Sequence, residues 1–427
     1  MRSVLVLTLV LVLGAASPAF TQDRADPALL ADIGRIFAID THCHASGASP
    51  VGAEPADPLG MPPFPYPVRL RPDNPEYVTA WRALWGEVVA STPDARARAT
   101  LGAKWRIRRE QADGYPAWVL DRAHLEMAFV NADRLGPGQA PPRFRWIVSA
   151  DDLLVPLGNG QARFTALLAD AGLDAPPLTL AQYQAAVVTP TLRRWQSAGA
   201  VAIKFVLAYT RPLDIAVVAA ADAERIYTRG RSGATLASED RKALQDYLFQ
   251  LLCVEAGRLN LVVQIHTGIG ANPYYAVSGS RPALLEPILN ATTMRQTRVV
   301  LVHGGWPYDA ETGVMLIKPN VYADFSAQTF LRSTRALAQT LRAWLEWYPE
   351  KVLFGSDAYD DGPAGTGTPL AGWEEKIWLS ASTAREALAI ALTGMMNDGQ
   401  ISRAQALDLA RLVLRGNAER VYGLGSR

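Results

Sequence analysis

Ile36-Phe37-Ala38-Ile39-Asp40-Thr41-His42-Cys43-His44 is an apolar run that ends in two histidines one residue apart. Extended backbone sends successive side chains to opposite faces. His42 and His44 therefore share a face, and Cys43 takes the other. Two imidazoles on one face at a strand end can grip a single divalent cation. A polar loop start would use the same letters without a ligand, so the choice depends on the rest of the chain.

Further short apolar runs occupy 126–131, 144–149, 200–206, 259–266, 298–303, 320–325 and 351–356. Helical periodicity fills much of the space between them, at 115–125, 180–198, 238–257, 332–347 and 384–396. Eight short strands alternating with helices predict the α/β class and a (β/α)8 TIM-like barrel. Two stretches exceed the repeat. After strand 1, residues 45–112 form an insertion. Its first part, 48–75, is rich in Pro and Gly, and 76–110 carries helical spacing, which predicts a helical cap on the barrel mouth. A second insertion follows strand 3. The tail, 407–422, reads as a helix packed outside the barrel.

The 427 residues are 49% hydrophobic and carry a net charge of +1, which gives no electrostatic footprint for nucleic acid. Residues 1–19 read as a signal peptide: Arg2, an apolar run from Val4 to Leu13, then Ser17-Pro18-Ala19. The run is short for a membrane span, so a periplasmic or secreted protein is expected, with 20–427 as a single domain. A homo-oligomer is compatible with this composition. The two cysteines, Cys43 and Cys253, make no disulfide framework and are expected as free thiols.

Four of the five histidines, His42, His44, His266 and His303, fall at the carboxyl ends of predicted strands 1, 5 and 6. Asp357 follows strand 8 in Leu353-Phe354-Gly355-Ser356-Asp357. Barrel enzymes build their sites at that end, where residues hundreds of positions apart converge. This distribution favours metal binding over scattered structural histidines. The fifth, His124, lies in a helical stretch and reads as packing or surface. Lys204 sits inside an apolar strand in a chain with six lysines and 36 arginines. Burial and a nearby cation lower an amine's pKa. A neutral amine can take up carbon dioxide and bridge two metals as a carbamate. Equally, a protonated Lys204 can pair with Asp357 or a substrate carboxylate.

At these positions the chain resembles the amidohydrolase superfamily, in the branch that includes aminocarboxymuconate-semialdehyde decarboxylase. The resemblance rests on Asp40-Thr41-His42-Cys43-His44, Ile203-Lys204, Gln264-Ile265-His266-Thr267-Gly268, Leu301-Val302-His303-Gly304-Gly305-Trp306-Pro307-Tyr308, Pro319-Asn320-Val321-Tyr322-Ala323-Asp324, Gly355-Ser356-Asp357-Ala358 and Gly416-Asn417-Ala418-Glu419-Arg420-Val421-Tyr422-Gly423. It implies that His42, His44, His266 and Asp357 hold one metal. In two-metal relatives Lys204 would bridge, and His266 and His303 would bind the second ion. In one-metal relatives His303 would act as an electrophile or acid.

The expected activity is metal-dependent hydrolysis of an amide-like C–N or ester bond in a small molecule. Zinc suits the nitrogen and oxygen donors, with manganese the alternative. Asp357 and His303 are the expected catalytic groups. Gln264, which faces as His266 does, and Tyr209, Arg211, Trp306 and Tyr308, which follow strand ends, would line the substrate site. Arg211 would grip a carboxylate. Decarboxylation on the same barrel is the competing activity, and a non-catalytic binding barrel the third reading.

Overall fold

The computed structural model describes residues 24–48, 67–71, 73–88, 90–158, 162–270, 275–360 and 372–425. The expected signal peptide and most of the Pro- and Gly-rich loop lie outside them. Eight strands follow chain order in one parallel sheet: β1 (Ala38–Cys43), β2 (Leu125–Asn131), β3 (Phe144–Ser149), β4 (Ala200–Phe205), β5 (Val262–His266), β6 (Val299–Val302), β7 (Val321–Asp324) and β8 (Val352–Leu353). Thr41 N donates to Phe354 O at 3.0 Å, and Asp357 N to His42 O at 2.7 Å, which draws the β8 end against β1 and closes the barrel. The (β/α)8 expectation holds for every strand.

Alternation along the strands sorts the apolar residues into two cores. Ile39, Met127, Phe129, Ile147, Ala202, Val262, Val300 and Leu353 fill the interior. The larger cluster lies between strands and helices and takes in Cys43, Ile203, Phe205, Val263, Ile265, Val299 and Leu301. Cys43 thus faces away from the histidines beside it, and both cysteines are buried free thiols.

The tail departs from expectation. Ala418, Val421 and Tyr422, one stripe of the helix Asn417–Tyr422, join the interior core instead of packing outside. Tyr422 sets its ring edge-on to Phe129 at 4.7 Å and covers the end of the barrel away from the histidines. An apolar stripe at three- and four-residue spacing specifies a buried helix face, and nothing in the tail says which opening it fills.

The first insertion also differs in detail. Its helical part is two helices, Pro75–Trp85 and Pro93–Gln111, broken after Gly86, whose φ of 87° suits glycine. Asn74 and Thr92 cap their first turns. The insertion leans on the helix Trp373–Asn397, which follows β8. Lys104 Nζ donates to Glu374 at 2.8 Å and Glu375 at 3.0 Å, Trp85 Nε1 to Glu375 at 2.9 Å, and Tyr115 OH to Glu374 at 2.7 Å. One ammonium thus faces two buried carboxylates: burial and the adjacent Glu374 raise Glu375, while at Glu374 burial is outweighed by Lys104 and Arg108 and the carboxyl is lowered. Among the described residues no helix is long and apolar enough to cross a membrane.

Candidate metal centre

The strands deliver the polar residues to one rim. His42 is fully buried at the end of β1, while the His44 side chain keeps 39% of its surface exposed. Their rings lie edge to face, 5.1 Å apart. Asp357 Oδ1 stands 3.2 Å from His42 Nε2 and 3.4 Å from His44 Nε2, and Asp357 Oδ2 lies 4.0 Å from His303 Nε2. His303 Nε2 in turn meets His266 Nδ1 at 3.2 Å. Lys204 Nζ reaches His42 Nε2 at 3.0 Å from inside the barrel. Potential donor atoms of His42, His303 and Asp357 lie within 4.8 Å of one another. All six residues expected to meet at a rim do meet there.

Backbone geometry makes this convergence possible. His303 and Asp357 take φ of 67° and 58°, a left-handed conformation uncommon outside glycine. Each turns the chain sharply just past its strand and swings its side chain over the barrel mouth. Such strain persists where the surroundings fix it. Here two buried carboxylates do so. Asp324 Oδ1 accepts from His303 N at 3.0 Å and from Ser326 N at 2.9 Å. Asp40 Oδ1 accepts from Ser356 N at 2.8 Å and His42 N at 3.2 Å, and Asp40 Oδ2 from Ser356 Oγ at 2.5 Å.

Electrostatics suits a cation. Burial, reinforced by neighbouring Lys204 or His303, holds His42 and His266 well below the usual imidazole range, and burial lowers His303 to about 4. All three are neutral near pH 7, so each ring carries one nitrogen lone pair that a cation can use. Burial alone would raise Asp357, but His303, His42 and His44 outweigh it and hold the carboxyl well below its ordinary range. Burial brings Lys204 down to about 8. His266 Nε2 is buried with no hydrogen-bond partner in the structure. Neutral nitrogens around an ionised carboxylate, with a buried ring nitrogen unsatisfied, fit a divalent metal.

The residues expected to line the substrate site divide. Tyr209 lies over His266 with ring centroids 4.7 Å apart, and Tyr275, which the sequence reading did not single out, stands 4.9 Å from Tyr209. Trp306 and Tyr308 pack under Arg332 and Arg281 on the rim, at 5.7 and 4.9 Å. Gln264 does face inward like His266, but one layer deeper. Its Nε2 donates to Thr41 O and Tyr422 OH, each at 2.8 Å, so it ties β5 to β1 and to the C-terminal helix. Arg211 turns to the buried Asp246 at 2.7 Å and supports the helix Ser238–Arg258. Both side chains are committed to the fold rather than to the expected pocket. His124 lies in a left-handed turn just past the helix Tyr115–Arg122, not within it, and stacks on Phe37 at 5.2 Å.

Four polar supports were given no role in the sequence: Asp40, Asp324, Ser326 and Ser356. A fifth is Asp151, just past β3, which accepts from Val206 N at 3.0 Å and is raised by burial to about 6. The available signal was position alone, since each is polar and lies within or just past an apolar strand.

Fold and donor set together define a parallel α/β barrel with a metal-suited cluster at its C-terminal rim. The sequence profile described as amidohydrolase matches residues 175–424, more than half of the chain, and the chain belongs to that family. Lys204, His266, His303 and Asp357 lie within the matched stretch, and the His42–His44 pair precedes it. Protein fluG of Emericella nidulans is 27% identical over 239 residues, 53% of this chain and 26% of that protein. The chain thus spans about a quarter of this curated relative's length. Among solved structures, a Lactobacillus casei protein described as a metal-dependent hydrolase is 16% identical, with a TM-score of 0.66 over 93% of this chain and 97% of that one. Glucuronate isomerase from Caulobacter crescentus is 14% identical, with a TM-score of 0.58 over 95% and 97%. At these identities the likeness concerns the fold.

Proposed function

We propose that the protein is an exported, metal-dependent hydrolase that uses water to cleave a C–N or ester bond of a small molecule. The observation that carries this reading is the ionised Asp357 carboxylate set against the Nε2 atoms of His42 and His44 at the open rim, 3.2 and 3.4 Å away. His42, His44, His266 and Asp357 would hold the ion, zinc by donor type, with manganese the alternative. Lys204 as a carbamate, with His266 and His303, would serve a second ion. A bound divalent metal supplies Lewis acidity, polarising a carbonyl and lowering the pKa of a water toward about 7.

The chain's own groups then have defined tasks. Asp357 accepts the proton of the attacking water and returns it to the leaving nitrogen or oxygen. Its position at the barrel mouth lets one carboxylate serve both steps. Tyr209, half-exposed above His266, offers an aromatic wall for the substrate's apolar part. Decarboxylation would want a carboxylate clamp, and Arg211, the clamp candidate, is engaged with Asp246.

The test is a screen of amide, lactone and ester substrates in oxygen-18 water, with the oxygen-18 content of the organic product compared between wild type and Asp357→Asn. Label in the product, lost in the variant, is the expected result. Turnover without label, as carbon dioxide release or isomerisation, would overturn the hydrolase assignment.

A further inference from the structure

We propose that Asp324 and Ser326 are positioning residues that fix His303 as its Nδ1–H tautomer, so that the Nε2 lone pair is what faces the pocket. Counting donors and acceptors assigns the hydrogen. Asp324 Oδ1 receives two backbone N–H groups, from Ser326 at 2.9 Å and His303 at 3.0 Å. An oxygen holding two amide hydrogens acts as an acceptor, whether or not the other carboxyl oxygen carries a proton. Ser326 Oγ lies 2.5 Å from the same Oδ1. Its single hydrogen therefore points to Asp324, and the hydroxyl offers only lone pairs elsewhere. Ser326 Oγ also lies 2.8 Å from His303 Nδ1. That contact is a hydrogen bond only if Nδ1 carries the hydrogen.

Asp324, Ser326 and His303 are all buried, so water does not compete for these positions. The consequence is chemical. A neutral His303 of this tautomer cannot donate from Nε2, whose lone pair meets His266 Nδ1 at 3.2 Å, with Asp357 Oδ2 4.0 Å away. His303 is then a metal ligand or proton acceptor, and the alternative of a neutral hydrogen-bond donor to a developing oxyanion is closed. The tautomer stands independently of the proposed function; only this consequence rests on it.

The experiment is nitrogen-15 NMR of histidine-labelled, metal-free protein, with His303 assigned by its loss in His303→Asn. Wild type is expected to show His303 as Nδ1–H, Ser326→Ala to lose that preference, and Asp324→Asn, which keeps an acceptor oxygen, to retain it. An Nε2–H tautomer in wild type would overturn the inference, as would Ser326→Ala with the tautomer unchanged. Should Ser326→Ala fail to fold, wild type and Asp324→Asn still decide. In parallel, where zinc chloride titrated against a chelator fills a second site in wild type, Ser326→Ala is expected to fill that second site roughly 10- to 100-fold more weakly, the usual effect of removing a hydrogen bond behind a ligating histidine. Wild type that binds no zinc, yet shows the Nδ1–H tautomer, would refute the metal reading and leave the tautomer assignment intact.

Discussion

Two aspartate–serine clasps hold the rim, and they are built alike. On the β1/β8 side, Asp40 takes the backbone N–H of a histidine, the backbone N–H of Ser356 and the Ser356 hydroxyl. On the β6/β7 side, Asp324 takes the N–H of His303, the N–H of Ser326 and the Ser326 hydroxyl. They differ in what the serine oxygen does next. Ser326 Oγ touches the imidazole of His303. Ser356 Oγ accepts instead from Ala358 N at 3.0 Å and so braces the turn that carries Asp357. Among the described residues His42 Nδ1 meets no partner. One clasp therefore orients a ring, and the other closes the barrel and shapes a backbone turn. The same small motif, placed at two strand ends, performs two different tasks.

That contrast can be broken in stages. The largest effect is expected where the β1/β8 clasp presents its product: Asp357→Asn should lower kcat by about 10³-fold or more, the scale on which general acid–base groups act, with circular dichroism unchanged. Next, Asp40→Ala strands two backbone N–H groups and a hydroxyl in the interior. At about 1–3 kcal/mol for each buried donor left unpaired, it should lower the urea midpoint sharply. Asp324→Ala should do so by less, because only the Asp40 clasp joins the first strand to the last. Equal midpoints would remove that distinction. Ser356→Ala should then separate from Ser326→Ala: the first is expected to reduce kcat through the Asp357 turn with the His303 tautomer intact.

The remaining effect is a pH dependence. Burial raises Asp324 to about 6 and Asp40 to about 7, from an ordinary 3.8. Between those values the folded chain binds more protons than the unfolded one, so each carboxyl makes folding less favourable as pH rises through its window. An uncharged amide has no such dependence. The stability deficit of Asp324→Asn relative to wild type should therefore shrink from pH 4 to about 6, and that of Asp40→Asn to about 7. Denaturation of both variants across that range checks the order.

The barrel was legible because strands buried on both faces read as apolar runs, and because histidines closing three of them share an alternation with the interior. Those are local signals, and they placed every strand. The supporting shell was not legible. Asp40 and Ser356 are 316 positions apart, and their bond exists only once the barrel closes. Asp324 lies in a stretch the family resemblance picked out, yet nothing local said that its partners would be Ser326 and His303. Gln264 shows the limit of alternation, which gives a residue's facing but not its depth, so a structural tie was read as a substrate contact. Arg211 failed for a related reason. Its partner, Asp246, comes from a helix whose approach the sequence does not encode locally. The left-handed turns at His303 and Asp357 carry no sequence mark either, since neither residue is glycine.

On the proposed function, residues from β1, β5 and the β8 end together hold a divalent metal. Elemental analysis of protein purified without added metal, alongside His42→Ala, tests it most directly. Stoichiometric metal in wild type and its loss in the variant are expected, with a mass gain on Lys204 if two ions are bound. Metal-free wild type that binds no added zinc or manganese, or full occupancy in His42→Ala, would contradict it.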